Sequence, residues 1–352
     1  MRLFFGLLVS LVLFVGGWGF AQNASQSISV LTHNSFNISQ ETIDAFTEQT
    51  GITVNFIEGG DAGEALNRAI LTKNNPIADL LFGVDNNLIV RAAAEDIFLP
   101  YQSPALADVP ERFIFSDLVT PIDVGYVNFN YDKSWFQDND VAVPTDISDL
   151  TDERYRGLSV VQNPASSSPG LAFMLSTIDR FGDGWLDYWA DLRDNDLLVT
   201  DGWSDAYYTA FTQYGGDRPL VLSYATSPAA EVVFAEQALD EAPTGNIFCE
   251  ACVYRQIEAV GILRGTDNET AAQQFVDYML SVSFQEDIPL NMYVYPVNQN
   301  AALPSVFDEY AATPDEAQVA TVPSEEVDAN LEAWLDAWTQ VVQQGRAPEE
   351  VR

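Results

Sequence analysis

Three apolar segments near the start of the chain decide the fold: ISVLT at 28–32, ITVNF at 52–56 and ADLLFGV at 78–84. The second segment alternates apolar and polar side chains, as a strand with one exposed face does. The first and third are short apolar runs of the kind found in buried parallel strands. We therefore expect three strands here, and the residues between them decide how they are connected.

Helical spacing fills both gaps between these strands. After Ser39, a predicted helix places Ile43 and Phe46 on one face and ends at Gly51. Residues 62–73 repeat apolar side chains at the same spacing. The resulting order of strand, helix, strand, helix and strand predicts a parallel sheet, and ligands bind at the carboxyl edge of such sheets.

The loops at that edge carry polar side chains. They begin at His33, at Gly59 and at Asp85. We expect His33, Asp61 and Asp85 to face a ligand there, with the two carboxylates available to balance a positive charge.

A second α/β set follows and predicts a second lobe. Residues 124–131 alternate as a long strand leaving the first lobe, and the strand 257–263 leads back to it. Between them we predict strands at 158–162, 197–200 and 220–224 and helices at 171–181 and 204–213. The strands at 124–131 and 257–263 cross from one lobe to the other and are expected to form a hinge.

The two crossings assign 28–123 and 257–352 to lobe 1 and 124–256 to lobe 2. The last residues of lobe 1 include Trp334 and Trp338 at helical spacing and predict an amphipathic helix that packs on a lobe.

The first 21 residues read as a secretory signal peptide. Arg2 precedes an apolar run from Leu3 to Phe20, and small residues precede an expected cut after Ala21. The alternative is an uncleaved membrane anchor, because the run approaches the roughly 20 residues that span a bilayer. Either form places the remaining chain outside the cytoplasm.

Composition excludes several classes of function. The 352 residues carry 52 acidic and 15 basic side chains, a net charge of −37, which repels nucleic acids and anionic lipid surfaces. A catalytic triad or a multi-histidine zinc site would have to use His33, the single histidine. We expect no catalytic residue, metal or cofactor.

Cys249 and Cys252 are the two cysteines of the chain. Their spacing fits a local disulfide, a redox pair or half of a zinc site whose other half is missing. Export favours the disulfide.

Two further features of the second lobe indicate a ligand site. Ser168 and Pro169 begin a predicted helix, with Ser168 as its cap, and such a helix start binds phosphate or carboxylate groups. Trp203 and Tyr224 lie at the ends of strands, where their rings can hold a flat cation. An ordinary helix start and core aromatics are the alternatives.

Eight stretches in order resemble the thiamine-binding periplasmic proteins of ABC importers, over nearly the whole mature chain. They are 32–36, 65–68, 83–88, 123–126, 167–171, 202–207, 223–229 and 295–297. The resemblance implies the two-lobed, type II periplasmic-binding-protein fold, in which each lobe is a sheet flanked by helices. It also implies a cleft that closes on thiamine, thiamine monophosphate or thiamine pyrophosphate.

The resemblance assigns roles to individual residues. Ser167, Ser168 and Gly170 fall at the phosphate end, Trp203 and Tyr224 at aromatic positions, and Asp61 at an acidic one. Three positions depart from the family pattern and have the smaller or neutral residues Asn34, Ala230 and Tyr293.

We expect an extracytoplasmic, monomeric binding protein that delivers its ligand to an ABC permease. Two alternatives are a carrier of another cation, such as a polyamine, and a thiaminase-like enzyme. The enzyme reading needs a cleft cysteine, and the interlobe stretch 121–126 has none.

Overall fold

The computed structural model describes residues 26–352 and is a mixed α/β structure. The predicted signal peptide, residues 1–21, lies outside the described residues. Within them, no helix is both long enough and apolar enough to cross a bilayer. The strands are β1 Ser27–Thr32, β2 Thr53–Glu58, β3 Leu80–Asp85, β4 Phe98–Leu99, β5 Thr120–Asp132, β6 Ser159–Gln162, β7 Leu198–Thr200, β8 Leu220–Tyr224, β9 Thr244–Ile247, β10 Val253–Leu263, β11 Tyr295–Pro296 and β12 Val319–Ala320.

The helices cover both faces of the sheet. They are α1 Gln40–Thr50, α2 Ala62–Leu71, α3 Ile89–Ala94, α4 Lys133–Asp138, α5 Ser168–Phe181, α6 Trp185–Asp194, α7 Trp203–Asp205, α8 Ser227–Phe234, α9 Glu269–Met279, α10 Val282–Asn291, α11 Ser305–Tyr310 and α12 Ser324–Trp338.

The parallel start of the fold is confirmed. β1 pairs in parallel with β2 and with β3. Ser39 caps α1 by accepting a hydrogen bond from the backbone N–H of Thr42, and Gly51 ends that helix. The loops after β1 and β2 meet at the expected edge, where the Asn34 N–H donates to the Gly60 carbonyl at 2.8 Å.

β5 connects the two halves of the sheet. Its residues 120–127 pair antiparallel with β10, and residues 127–132 pair with β8 and β9. The strand order is β2-β1-β3-β10-β5-β8-β6-β7, so strands expected in two separate lobe sheets form one continuous hydrogen-bonded sheet.

Two helices differ from their predicted forms. The helix predicted at 171–181, with Ser168 as its cap and Pro169 as its first residue, begins at Ser168, so Ser167 is its N-cap. The helix predicted at 204–213 is only the short α7, followed by a π-helical turn at Ala206–Ala210. In that turn the Phe211 N–H donates to the Ala206 carbonyl at 3.0 Å, and Phe211 and Tyr207 are buried. Burial of these two rings outweighs the regular helical spacing.

The C-terminal helix packs against residues from the middle of the chain. The Trp338 ring meets Trp189 of α6 edge-on, with centroids 5.5 Å apart. Arg193 of α6 donates to the Val341 carbonyl at 2.8 Å. Residues 257–352 were predicted to belong to lobe 1, whereas the C-terminal end of this segment contacts the 124–256 part. An amphipathic pattern shows that a helix buries one face, but not which element covers that face.

The two cysteines form the local disulfide that the spacing and export favoured. Cys249 and Cys252 are bonded to each other beside the start of β10. The Cys252 N–H also donates to the Gln318 carbonyl at 3.1 Å, next to β12. The disulfide therefore holds the turn that leads into β10.

Replacing Trp338 with alanine tests the docking of α12. Trp338 is 0% exposed, so Trp338→Ala leaves a cavity, and we expect the free energy of unfolding to fall by about 3–5 kcal/mol. Urea unfolding followed by circular dichroism measures this. The control Asp328→Ala, at an exposed position of the same helix, is expected to change it by less than about 0.5 kcal/mol. Equal effects of the two substitutions would contradict the docking.

Candidate functional site

A cavity of about 290 Å³ lies where the loops after β1 and β2 face the starts of α5, α7 and α8. Its volume is near the lower end of the roughly 300–1,000 Å³ of small-molecule sites. Seven residues predicted for the site line this cavity: His33, Asn34, Asp61, Ser168, Trp203, Tyr224 and Tyr293. Three others, Asp85, Ser167 and Gly170, do not line it.

Trp203 forms part of an aromatic wall. Its ring stacks on Tyr207, with centroids 4.9 Å apart and planes 19° apart. Its indole N–H donates to Ser223 Oγ at 2.9 Å. These contacts fix the orientation of the indole where it lines the cavity.

Tyr224 is held against the sheet beneath the cavity. Its hydroxyl donates to Gln256 Oε1 at 2.9 Å. A Cβ on Gly125 would lie 2.7 Å from the Tyr224 ring, so glycine at this point of β5 allows the ring to lie against the strand. The ring is thus positioned before any ligand enters.

Glu231 is a carboxylate of the cavity that the sequence analysis missed. It accepts hydrogen bonds from the hydroxyls of Tyr207, at 2.6 Å, and Tyr214, at 3.1 Å. Burial raises the pKa of Glu231 above its usual value. The sequence signal was weak, because Glu231 lies in an apolar helix and its two partners come from the predicted 204–213 helix and the loop beyond it.

Glu258 is a second carboxylate that was missed. It lies in β10, lines the cavity, and approaches His33 Nε2 at 3.4 Å. Burial lowers the pKa of His33, but the nearby carboxylates, Glu258 first, raise it by more than burial lowers it. The pKa of His33 therefore lies above its usual 6.5. A lone acidic residue in the predicted apolar strand 257–263 was the available sequence signal.

Asp85 lies behind the cavity wall, in a row of acidic residues. Glu258 is in register with Asp85 on β3 and with Asp123 on β5. Asp85 accepts the backbone N–H groups of Asn87 and Leu88, both at 2.8 Å, and burial raises its pKa to about 6. Burial and the neighbouring Glu258 raise the pKa of Asp123 well above its usual value. Asp85, which was expected to face the cleft, lies behind Ser168 instead, because its carboxylate accepts the hydrogen bonds of the turn after β3.

Asp61 connects two elements across the cavity. Its Oδ1 accepts the Ala62 N–H at 2.7 Å at the start of α2, and its Oδ2 accepts the Trp203 N–H at 2.9 Å. The Gly63 N–H also donates to the Ser166 carbonyl at 2.9 Å. The loops on the two sides of the cavity are therefore in direct contact.

The serine-rich helix start is only partly at the cavity. Ser168 lines it, whereas Ser167 is buried at the N-cap of α5. A Cβ on Gly170 would lie 2.4 Å from the Gln162 carbonyl oxygen. Gly170 therefore serves the close packing of α5 on β6, which explains why it does not reach the cavity.

Four aromatic side chains line the same cavity as Ala230. Tyr293 and Phe234 have their ring centroids 5.1 Å apart, and those of Tyr208 and Tyr214 are 5.0 Å apart. The cavity is therefore rich in aromatic surface although position 230 is alanine.

Negative charge dominates the cavity. Asp61, Glu231 and Glu258 line it, and among the described lining residues there is no lysine or arginine. In the described part of the chain, no three His, Cys, Asp or Glu side chains are placed to hold a metal ion. The arrangement of rings and carboxylates suits an organic cation.

Residues 75–318 match the family described as bacterial extracellular solute-binding protein. The chain belongs to this family. It is 30% identical over 348 residues to a thiamine-binding periplasmic protein of Brucella suis, covering 96% of this chain and 98% of the relative. It is 31% identical over 301 residues to the thiamine-binding periplasmic protein of Escherichia coli K12, covering 85% and 86%.

A solved structure of a periplasmic thiamin binding protein superposes with a TM-score of 0.79 at 28% identity, covering 90% of this chain and 96% of that chain. The resemblance drawn from eight stretches is confirmed, and so is the two-lobed, type II solute-binding fold. The relatives are solute-binding proteins of the periplasm rather than enzymes.

The single histidine allows a direct test of its pairing with Glu258. In NMR titrations of untagged mature protein, we expect the His33 imidazole to titrate above pH 6.5. In Glu258→Gln the carboxylate is lost while burial remains, so the His33 pKa should fall. Glu349→Gln, at an exposed C-terminal position, is the control and should leave it unchanged. An unchanged pKa in Glu258→Gln would refute the pairing.

Proposed function

We propose that this protein captures thiamine, or a phosphate ester of it, in the cavity and delivers it to an ABC permease. The observation that carries the proposal is a cavity of aromatic rings and carboxylates in a chain whose relatives are named for thiamine binding. Thiamine combines two flat heteroaromatic rings with a permanent positive charge. Stacking and cation–π attraction suit the rings, and carboxylates suit the charge.

We further propose that unphosphorylated thiamine is the preferred form. Three carboxylates line the cavity, and its described lining offers neither lysine nor arginine to a phosphate group. The start of α5 at Ser168 supplies neutral donors for one phosphate. A pyrophosphate brings more negative charge into an already negative site, and each like charge opposes binding.

Closure of two lobes is the proposed capture mechanism. We assign 28–123 and 257 to about 320 to lobe 1, and 124–256 with the C-terminal helix α12 to lobe 2, because α12 packs on α6. β5 and β10 then form the hinge. The Asp61–Trp203 hydrogen bond joins the lobes when the cavity is closed.

We propose that no bond of the ligand is made or broken. The residues that line the cavity offer no cysteine nucleophile, and the two cysteines are joined in a disulfide beside β10. The polyamine reading shares the aromatic and acidic groups, but the relatives do not favour it. We also propose an exported monomer that loses residues 1–21 as a signal peptide.

Calorimetric titration tests the ligand. Mature protein is unfolded and refolded to remove carried-over ligand and then titrated with thiamine, its monophosphate, its pyrophosphate and spermidine. We expect submicromolar dissociation constants for thiamine, weaker binding of the pyrophosphate, and none of spermidine. Tighter binding of the pyrophosphate would overturn the preference, and no binding of any thiamine form would overturn the function.

Two substitutions test the aromatic rings of Trp203 and Tyr224. Trp203→Ala and Tyr224→Ala remove rings that line the cavity, and we expect each to weaken thiamine binding at least tenfold without loss of folded structure. Tyr224→Phe keeps the ring and loses only the hydrogen bond to Gln256, so it should stay within a few-fold of wild type. Unchanged affinity in both alanine variants would remove these residues from the site.

A further inference from the structure

Three acidic residues lie side by side on adjacent strands beneath the cavity. Asp85 on β3, Glu258 on β10 and Asp123 on β5 are directly in register. Residues opposite one another on neighbouring strands project their side chains to the same face of a sheet. We call these three residues the acid row.

The acid row is buried, and three of its six carboxylate oxygens have no hydrogen-bond donor within the described structure. Asp85 and Asp123 are 0% exposed and Glu258 is 7% exposed. Within the described structure, neither carboxylate oxygen of Asp123 has a hydrogen-bond partner, and Oδ2 of Asp85 has none either. A buried carboxylate without partners is unstable as an anion, since water no longer solvates it.

The groups that face the acid row do not neutralise three negative charges. His33 faces Glu258 from the loop after β1, and Asp61 approaches from the start of α2. Tyr224 faces the row from β8, Tyr254 faces Asp85 from β10, and Ser168 faces Asp85 from α5. The strand β11 places the uncharged Pro296 opposite Asp123. His33 is thus the one group among these neighbours that can carry a positive charge.

Neighbouring carboxyl groups in a buried site cannot all be ionised at once. Two such neighbours, here Asp123 and Glu258, therefore retain one proton that belongs to the pair. Asp123 is the favoured carrier, because a protonated Asp123 can donate to the Glu258 carboxylate beside it. Burial and Glu258 both raise the pKa of Asp123, in agreement with this arrangement.

We propose that the acid row of the empty protein holds a proton on Asp123, and that a cationic ligand bound against Glu258 releases it. The O–H bond of the Asp123 carboxyl breaks, the proton goes to solvent, and the new carboxylate balances the ligand charge. This inference rests on the proposed function, since it concerns a cation in the same cavity. It makes Asp123 a positioning residue that does not line the cavity.

Proton release makes binding pH-dependent with a definite sign. When one proton leaves for each ligand bound, raising the pH favours the complex, and the affinity rises up to tenfold per pH unit. The dependence ends at a pH at which the empty protein has already lost that proton. A site that releases no proton binds a permanent cation with an affinity that changes little over the same pH range.

The test is calorimetric titration of thiamine into mature protein at pH 6 in phosphate and in bis-Tris, which both buffer at this pH and whose ionisation enthalpies differ. The difference in heat gives the number of protons released, and we expect about one for wild type. In Asp123→Asn the amide replaces the protonated carboxyl, so binding should persist with release close to zero. Asp138→Asn, an exposed single-charge control on α4, should match wild type.

His33 and Asp85 are two other groups that could lose a proton, since the pKa of each is raised. NMR signals report on His33 during the same titration, and Asp85→Asn, which should release as many protons as wild type, reports on Asp85. Binding by wild type without proton release overturns the inference and leaves the proposed function intact. Equal release by wild type and Asp123→Asn also overturns it.

A measurement on the empty protein tests the proton on Asp123 whatever the ligand is. In infrared spectra of the empty protein at pH 6, the difference between wild type and Asp123→Asn should contain a protonated-carboxyl band, and the difference between wild type and Asp138→Asn should not. Thermal unfolding shows that each variant is folded. If the first difference spectrum lacks that band, the inference fails, even where thiamine binds.

Discussion

The pairing of β5 with strands in both halves of the sheet is the interaction on which the rest of the structure depends. Its first residues pair with β10 and its last with β8 and β9, so one 13-residue strand fixes both sets of elements to a common sheet. This arrangement brings Asp61, in the loop after β2, within hydrogen-bond distance of Trp203, more than a hundred residues later. The cavity exists because these loops face each other across the shared strand.

Uncompensated negative charge in and beneath the cavity is the second feature on which the site depends. Carboxylates line the cavity and lie beneath it, and His33 is the one basic residue of the described lining. Burying charges of one sign is costly, and the cost falls when a cation arrives. The acidic surface of the whole chain, at net −37, has a different origin from this local cluster, because exposed carboxylates are solvated individually.

The cavity-lining residues that the sequence predicts are those whose positions follow from strand ends, and the lining residues that it misses depend on packing. His33 and Asp61 follow predicted strands, and Tyr224 ends one. Glu231 and Tyr207 meet only because the predicted 204–213 helix becomes a π-helical turn beside α8. Gly170 fitted the expected phosphate end, yet its role is to let α5 approach Gln162. Local sequence carries no information on which backbone lies opposite a glycine.

The sequence by itself determined the α/β class, the parallel β1–β2–β3 start, the family, and the edge at which the cavity opens, since each rests on local periodicity or on ordered motifs. Only the tertiary structure decided that α12 covers α6 and that Asp85 turns away from the cavity. It also decided that Asp85, Glu258 and Asp123 form one row. The reason is that register between strands far apart in sequence is set by pairing and packing over the whole sheet, which no local pattern encodes.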